Sequence, residues 1–261
     1  MATVTRLSGD RDSNGAIAVA RRSVRSHSVH PPLCNGDRLT QAEFHRRYEQ
    51  YPDDVKLELI NGTVYMASPQ GLPHGTHELN LSGLLMLYKS ETPGVEGAHT
   101  VTVILADDSE PQPDLMLRIS WEYGGQSRNQ DKYVAGAPEL IVEVAHSSVA
   151  IDLHAKKDDY QRTGVPEYIV VCIEEQQVRW FDLRGNREHT LRAGGILRSK
   201  TFPGFWLDTA ALFRADGKRL IAVLQQGLAS GEHARFVRKF AVGRKRTPKK
   251  AQSKKGRQGE D

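Results

Sequence analysis

One stretch decides the fold: Glu139-Leu140-Ile141-Val142-Glu143-Val144-Ala145, a run of apolar β-formers with a carboxylate near its centre. A continuous apolar run of this length is typical of a strand whose two faces are both covered. An isolated carboxylate is costly to bury, so Glu143 should be paired, hydrogen-bonded or bound to a cation. The stretch therefore predicts a central strand that carries a polar site.

A second carboxylate stands at the start of an apolar strand about thirty residues earlier, in Pro113-Asp114-Leu115-Met116-Leu117. If the two strands are neighbours, Asp114 and Glu143 form an oxygen-lined site. Such a site suits a hard divalent cation such as Mg²⁺.

Turn and helix signals place further elements around these strands. Asn61-Gly62 predicts a hairpin between Leu57-Glu58-Leu59-Ile60 and Thr63-Val64-Tyr65-Met66. A mostly apolar helix is expected from His77 to Tyr88, and a second helix, after the Glu143 strand, from about Ala150 to Thr163. Further strands are predicted at 101–105, 168–173, 178–183 and 187–191, and an exposed loop at 121–136. The pattern as a whole predicts a mixed α/β fold, a central mixed sheet flanked by helices.

Charge is distributed unevenly along the 261 residues, although the net charge is only +4. Residues 235–261 hold 11 Lys/Arg against two carboxylates, and residues 1–36 hold five arginines against two aspartates. The body between them has 20 basic and 28 acidic residues. We therefore expect a disordered N-terminal arm (1–36), one domain (37–215), C-terminal helices (216–240) and a basic disordered tail (241–261). Such a tail attracts polyanions without reading their sequence, or merely keeps the protein solvated.

Several protein classes are not expected. No apolar run approaches the roughly 20 residues that cross a bilayer, so no membrane partner is predicted. Cys34 and Cys172 are the only cysteines, which is typical of neither a disulfide framework nor a zinc site. A reducing, cytoplasmic location is the expectation.

A lysine and a further acid complete the candidate site. Asp152, Lys156 and Tyr160 are spaced i, i+4, i+8 and share one helix face. If that helix packs beside the preceding strand, Lys156 reaches over the two carboxylates. Lys157 projects about 100° around the helix and should be solvated. Glu58 is a fourth polar residue in an apolar setting.

The order and spacing of these motifs resemble the Uma-two family of restriction-endonuclease-like proteins, part of the PD-(D/E)XK nuclease superfamily. The resemblance covers roughly residues 38–215. It includes Gln112-Pro113-Asp114-Leu115, the Glu143 strand, Gly164-Val165-Pro166-Glu167-Tyr168 and Phe202-Pro203-Gly204-Phe205-Trp206-Leu207. One departure is that the usual Glu-x-Lys would put lysine at position 145, where this chain has Ala145.

The resemblance implies a restriction-endonuclease-like core and a DNA endonuclease that uses Mg²⁺, or Mn²⁺ in its place. Position by position, it implies that Asp114 and Glu143 bind the metal, that Glu58 is an accessory acid and that Lys156 is the catalytic lysine. Carboxylates that hold metal and a lysine that orients water are what phosphodiester hydrolysis needs. DNA is the implied partner, and a homodimer one possible assembly.

Each of these residues could instead have a purely structural role. Asp114 could cap its own turn, Glu143 could pair with Arg118, and Lys156 could be an exposed helix lysine. Glu58 could pair with Lys56. His74, His77 and His146 are more simply capping or loop residues than ligands. For the whole protein, the alternatives are a catalytically silent nucleic-acid-binding or regulatory protein with the same fold, and a toxin-system module whose tail binds protein or RNA.

Overall fold

The computed structural model describes residues 31–52, 54–191 and 195–243. The chain separates into two units, Met1–Pro32 and Leu33–Asp261, and every element given below belongs to the second. The predicted arm (1–36) and basic tail (241–261) fall mostly outside the described residues. Residues 33–36 belong to the second unit, where Leu33 is buried and the Gly36 N–H donates to the Val64 carbonyl at 2.8 Å.

The described elements are six α-helices, thirteen short strands, one 3-10 turn and one π-helical turn. The helices are α1 (Gln41–Tyr48), α2 (Leu72–Ser90), α3 (Lys157–Thr163), α4 (Thr209–Phe213), α5 (Gly217–Leu228) and α6 (Gly231–Gly243). The strands are β1 (Leu57–Ile60), β2 (Thr63–Met66), β3 (Val95–His99), β4 (Val103–Ile104), β5 (Leu115–Ile119), β6 (Arg128–Gln130), β7 (Tyr133–Ala135), β8 (Leu140–Ala145), β9 (Glu167–Cys172), β10 (Gln177–Asp182), β11 (Arg187–Glu188), β12 (Ile196–Arg198) and β13 (Trp206–Asp208). A 3-10 turn spans Trp121–Tyr123, and a π-helical turn, Ile151–Lys156, leads directly into α3.

A six-stranded mixed sheet forms the centre, in the order β11-β10-β9-β8-β5-β3. β8 and β9 are parallel, and the other neighbouring pairs are antiparallel. Smaller sheets, β1-β2, β12-β13 and β4-β7-β6, surround it. The predicted fold class, a mixed sheet flanked by helices, is confirmed.

The strand β8 is buried on both faces, as its apolar run predicts. Leu140, Val142 and Val144 pack in the main core with α2 and α5, whereas Ile141 and Ala145 pack on the other face with Tyr160. Because side chains alternate along a strand, Glu143 lies on the Tyr160 face. The polar centre of the run therefore faces α3 and the π-helical turn.

The hairpin agrees with its sequence signal, and capping residues mark the ends of two helices. Asn61 and Gly62 both have positive φ, +47° and +73°, as a type I′ turn requires. The Thr40 hydroxyl accepts a hydrogen bond from the Glu43 N–H and caps α1. Gly164, at φ +92°, ends α3.

Three local predictions are wrong. The expected loop at 121–136 contains β6, which is entirely polar and exposed, and β7, which has only three residues. The expected strand at 101–105 is reduced to Val103–Ile104, and the unpredicted strand β3 takes the edge of the central sheet instead. The expected strand at 187–191 is reduced to Arg187–Glu188. The helix predicted from about residue 150 is present, and it begins as a π-helical turn.

The C-terminal helices pack against the body. Leu220 and Leu224 of α5 and Phe240 of α6 are buried in the main core cluster. Within the described ranges, none of the helices combines the length and the apolar character needed to cross a bilayer.

Candidate active site

The fold brings the four predicted site residues together at one end of the central sheet. β1 carries Glu58, the residue before β5 is Asp114, β8 carries Glu143, and Lys156 ends the π-helical turn. Asp114, Glu143 and Lys156 are buried, and the Glu58 side chain is only 12% exposed. Since a strand and a helix must be packed face to face before these side chains meet, tertiary structure creates the site.

Lys156 is the centre of the cluster. Its Nζ lies 2.9 Å from Glu58 Oε2, 3.0 Å from Glu143 Oε1 and 3.6 Å from Asp152 Oδ1. Burial alone would lower the pKa of Lys156, but the negative charges of Glu143, Glu58 and Asp152 outweigh it and raise the pKa well above its usual value. The side chain is therefore an ammonium ion that donates to carboxylates.

Asp114 is held by a different set of donors. Its Oδ2 accepts the Val144 N–H at 2.8 Å and lies 3.2 Å from His74 Nε2, while Lys56 Nζ is 3.9 Å from its Oδ1. Burial acts to raise the pKa of Asp114, but the hydrogen bonds from His74 and Val144, with the charge of Lys156, leave it below its usual value. Asp114 is thus a fixed, ionised carboxylate beside β8.

Glu143 is the most deeply placed acid. Besides Lys156, it accepts the Tyr160 hydroxyl at 2.8 Å on Oε1, and the Asp114 N–H lies 3.4 Å from Oε2. Burial raises the pKa of Glu143 well above its usual value; Lys156 opposes this effect, and the nearby charges of Asp114 and Asp152 add to it. Adding positive charge would therefore stabilise the ionised carboxylate.

Glu58 connects the hairpin to the site. Its Oε1 accepts the Gln112 N–H at 2.8 Å, two residues before Asp114, and its Oε2 pairs with Lys156. Glu58 therefore positions both the lysine and the segment that leads to Asp114.

The cluster has more acid than base. It lines a cavity of about 170 Å³ that contains four carboxylates and two ammonium groups. The carboxylates are those of Glu58, Asp114, Glu143 and Asp152, and the ammonium groups are those of Lys56 and Lys156. One divalent cation would balance the charge of this set if all its members are ionised.

The carboxylates fit an open Mg²⁺ site better than a closed site in which protein side chains supply every ligand. Over the part of the chain that the structure describes, no three His, Cys, Asp or Glu side chains converge as a complete metal-binding set. Mg²⁺ is commonly held by one or two carboxylates, with water and substrate phosphates as the other ligands. Asp114 and Glu143, which share this cavity, match that pattern.

The structure also decides among the local alternatives. Arg118 pairs with Glu96 at 2.5 Å and does not pair with Glu143. Lys156 is not an exposed helix lysine, and Glu58 pairs with it instead of with Lys56. Lys157 stays outside the cluster as predicted, but it is not fully solvated: its Nζ lies 5.3 Å from the centre of the Phe181 ring.

Of the three histidines, His77 lies outside the cavity, whereas His74 and His146 line it. His77 packs edge-on against Phe213, and His146 pairs with exposed Glu174. His74 contacts Asp114, whereas the sequence favoured a capping or loop role for it. Its signal in the sequence was its position just before the predicted apolar helix.

Comparison with known proteins places this geometry in context. Residues 42–210 match the sequence model of the Uma2 (Uma-two) family, which is described as "Putative restriction endonuclease". The match covers well over half of the chain and includes all four predicted site residues. No curated protein matches the chain.

Among solved structures, the chain is similar to a crystal structure of "a putative nuclease belonging to DUF820" from Anabaena variabilis ATCC 29413. The two share 16% sequence identity with a TM-score of 0.50, over 65% of this chain and 97% of the other. At this identity the likeness shows a common fold, and it confirms the fold that the resemblance implied.

Proposed function

The chain belongs to the Uma2 family, and on that premise we propose that it is a Mg²⁺-dependent endonuclease that hydrolyses phosphodiester bonds of DNA. One observation supports this most strongly: the Nζ of the buried Lys156 lies within 3.0 Å of carboxylate oxygens of both Glu58 and Glu143. Asp114 accepts a hydrogen bond from β8, the strand that carries Glu143. Buried charges of this density are costly to maintain, so a functional reason for them is a natural inference.

Asp114 and Glu143 would hold Mg²⁺, or Mn²⁺ in its place. The chemistry that such an ion supplies is polarisation of the phosphate and acidification of water. His74 and the Val144 N–H orient Asp114 toward the cavity, and Tyr160 orients Glu143 from the opposite side.

Lys156 would position the attacking water and stabilise the charge that develops on the phosphate. Its raised pKa keeps it an ammonium ion, whose three N–H groups can be shared between carboxylates and substrate oxygens. Removing a preorganised donor of this type costs roughly 10²–10³ in rate. Glu58 completes the acidic pocket by fixing the direction of the Lys156 side chain.

DNA is the proposed partner because its backbone supplies the phosphates and the chain has a basic C-terminal segment. Eight Lys/Arg follow residue 243, and nonspecific attraction by them would offset the acidic body. For duplex cleavage, the proposed assembly is a homodimer that has one active site for each DNA strand. Both cysteines are free, which fits the proposed cytoplasmic location.

A catalytically silent DNA-binding protein with the same fold is the second candidate. The observation that favours it is that Lys156 already satisfies Glu58 and Glu143, so the cluster holds its own cation. In that case the acids would serve stability and the basic segments would serve binding.

Plasmid cleavage separates the two candidates. Supercoiled and linear DNA are incubated with the protein in Mg²⁺, Mn²⁺ or EDTA, together with Glu143→Gln and the control Glu122→Gln, which removes an exposed carboxylate outside the cavity. The nuclease proposal expects metal-dependent cleavage by the wild type and the control, and a loss of at least about 100-fold in Glu143→Gln. Unchanged DNA binding with no cleavage by any of the three, in either metal, would support the silent protein.

A further inference from the structure

A second concave surface lies away from the candidate active site, between the β11–β12 region and α6. It encloses about 820 Å³, and we call it the α6 groove. Five basic side chains and two acidic ones line it: Arg187, Arg198, Lys200, Arg235 and Lys239, with Glu188 and Glu232. The cavity of the candidate active site has the opposite balance, with four acids and two lysines.

The positive charge of the α6 groove is incompletely neutralised. Asp182 pairs with Lys200 at 3.0 Å and with Arg187 at 3.4 Å. Glu188 is engaged by Arg179, whose guanidinium donates to it at 2.8 Å. Arg235 and Lys239 are exposed, one turn apart on α6, and within the described ranges neither has an acidic side chain within 4.0 Å. Two cations on one helix face are thus available to an external anion.

The inner wall of the groove is formed by aromatic and cationic side chains. His189 stacks on Trp180 and its side chain is 7% exposed; its Nε2 makes no hydrogen bond among the described residues but lies 3.7 Å from Glu167 Oε1. Arg198 lies over the Trp206 ring at 3.6 Å, and its Nε is likewise buried without a partner there. The aromatic rings hold both side chains in place, so the wall is preorganised.

The groove and the candidate active site lie at different places on the central sheet. The turn after β12 is anchored at the start of β9, where the Lys200 N–H donates to Glu167 at 2.7 Å. Glu167 lies on the same face of β9 as Ile169 and so faces the α2 and α5 side. Glu143 faces the α3 side, and its backbone neighbour on β9 is Val170, farther along the strand. The groove can therefore be altered without touching the acidic cluster.

We propose that the α6 groove binds the phosphate backbone of DNA, as an anchoring surface separate from the site of cleavage. The acidic cavity repels a polyanion, so attraction must come from other surfaces. In this groove Arg235 and Lys239 have no acidic partner among the described residues, whereas Arg187 and Lys200 share Asp182. Its helix also leads directly into the eight Lys/Arg of residues 244–261. The choice of DNA rests on the proposed function, but binding to the groove does not require cleavage.

The test measures binding of the full chain to a fluorescein-labelled duplex in EDTA, over a series of salt concentrations. The double variant Arg235→Ala/Lys239→Ala should make the slope of log K against log salt shallower by about 0.9 for each phosphate that it no longer neutralises, close to two units in total. The control Arg214→Ala/Lys218→Ala removes two exposed charges that do not line the groove and should keep the wild-type slope. The variant Arg235→Lys/Lys239→Arg keeps both charges and should also bind as the wild type does.

Equal slopes of log K against log salt for the groove variant and the wild type would overturn the proposal. An equal decrease of the slope in the groove variant and in the control would overturn it too. A labelled polyglutamate serves as a second probe: loss of its binding alone, with DNA binding intact, would also overturn it. Because EDTA removes the metal, a failure of the groove is distinguishable from a failure of the nuclease proposal, which is decided by cleavage in Mg²⁺.

Discussion

Replacing Lys156 by methionine should destabilise the fold by about 3–5 kcal/mol at pH 8, the range for removing one partner of a buried ion pair. Methionine keeps most of the aliphatic volume, so the loss comes from charge and not from a cavity. The lysine has 7% of its side chain exposed and lies 2.9 and 3.0 Å from two carboxylates. Without it, Glu58, Glu143 and Asp152 would be buried together with no cation between them.

The destabilisation should depend on pH in a defined direction. The pKa of Glu143 is already raised by burial, and losing the ammonium removes the charge that opposes this effect. A raised folded-state pKa means that the folded variant binds its proton more tightly than the unfolded chain does. The stability of the variant is then greatest at low pH and declines as the pH rises through the folded-state pKa.

Urea unfolding at pH 5 and pH 8 measures both effects. With a slope of about 3 kcal/mol per molar, the midpoint of Lys156→Met should fall by about 1–1.7 M at pH 8 and by less at pH 5. Lys157→Met is the matched control and should change stability by less than about 0.5 kcal/mol. Adding Glu143→Gln to Lys156→Met should restore part of the loss. A variant as stable as the wild type at pH 8, or a loss that is equal at both pH values, would refute the buried-charge reasoning.

Three smaller perturbations probe other parts of the account. Tyr160→Phe removes the hydroxyl that donates to Glu143 at 2.8 Å, so thermal unfolding should show a loss of about 1.5–3 kcal/mol. Asp208→Asn keeps a cap for α4 but loses the charge that pairs with Arg219 at 2.9 Å, so the free energy of unfolding at pH 7 should fall by up to about 1 kcal/mol. Because the folded-state pKa of Asp208 is lowered, this loss of stability should vanish as the pH falls through that pKa. Gly204→Ala places a Cβ 2.7 Å from a histidine side chain at φ +95°, and should lower stability in urea by more than about 2 kcal/mol.

Each of these has a clear contrary outcome. An unchanged melting temperature for Tyr160→Phe would mean that its hydroxyl is not buried against a charge. A loss in Asp208→Asn that persists at low pH would assign the effect to the cap. A neutral Gly204→Ala would show that the backbone there adapts freely.

The central strand and its acid could be predicted from sequence because their signal is local. The apolar run of β8 is continuous, and a carboxylate within it stands out without knowledge of the rest of the chain. The Asn61-Gly62 hairpin is equally local, since its turn needs two residues that tolerate positive φ. These predictions hold because the deciding physical chemistry lies within a few residues.

The remainder depends on tertiary packing that a local pattern does not encode. Lys156 is indistinguishable in sequence from a solvated helix lysine, and it was singled out only through the order of the motifs around it. The strands β3 and β6 have polar or glycine residues and exist because neighbouring strands supply their hydrogen bonds. His74 joins the site only because α2 packs beside the start of β5.

The most direct test of the account is an anomalous difference map from crystals grown with Mn²⁺. If Asp114 and Glu143 hold the metal, the map should show a peak bonded to carboxylate oxygens of both residues, and no such peak in Glu143→Gln crystals grown under the same conditions. A wild-type map with no peak at these two residues, with Lys156 still the only cation between Glu58 and Glu143, would contradict it.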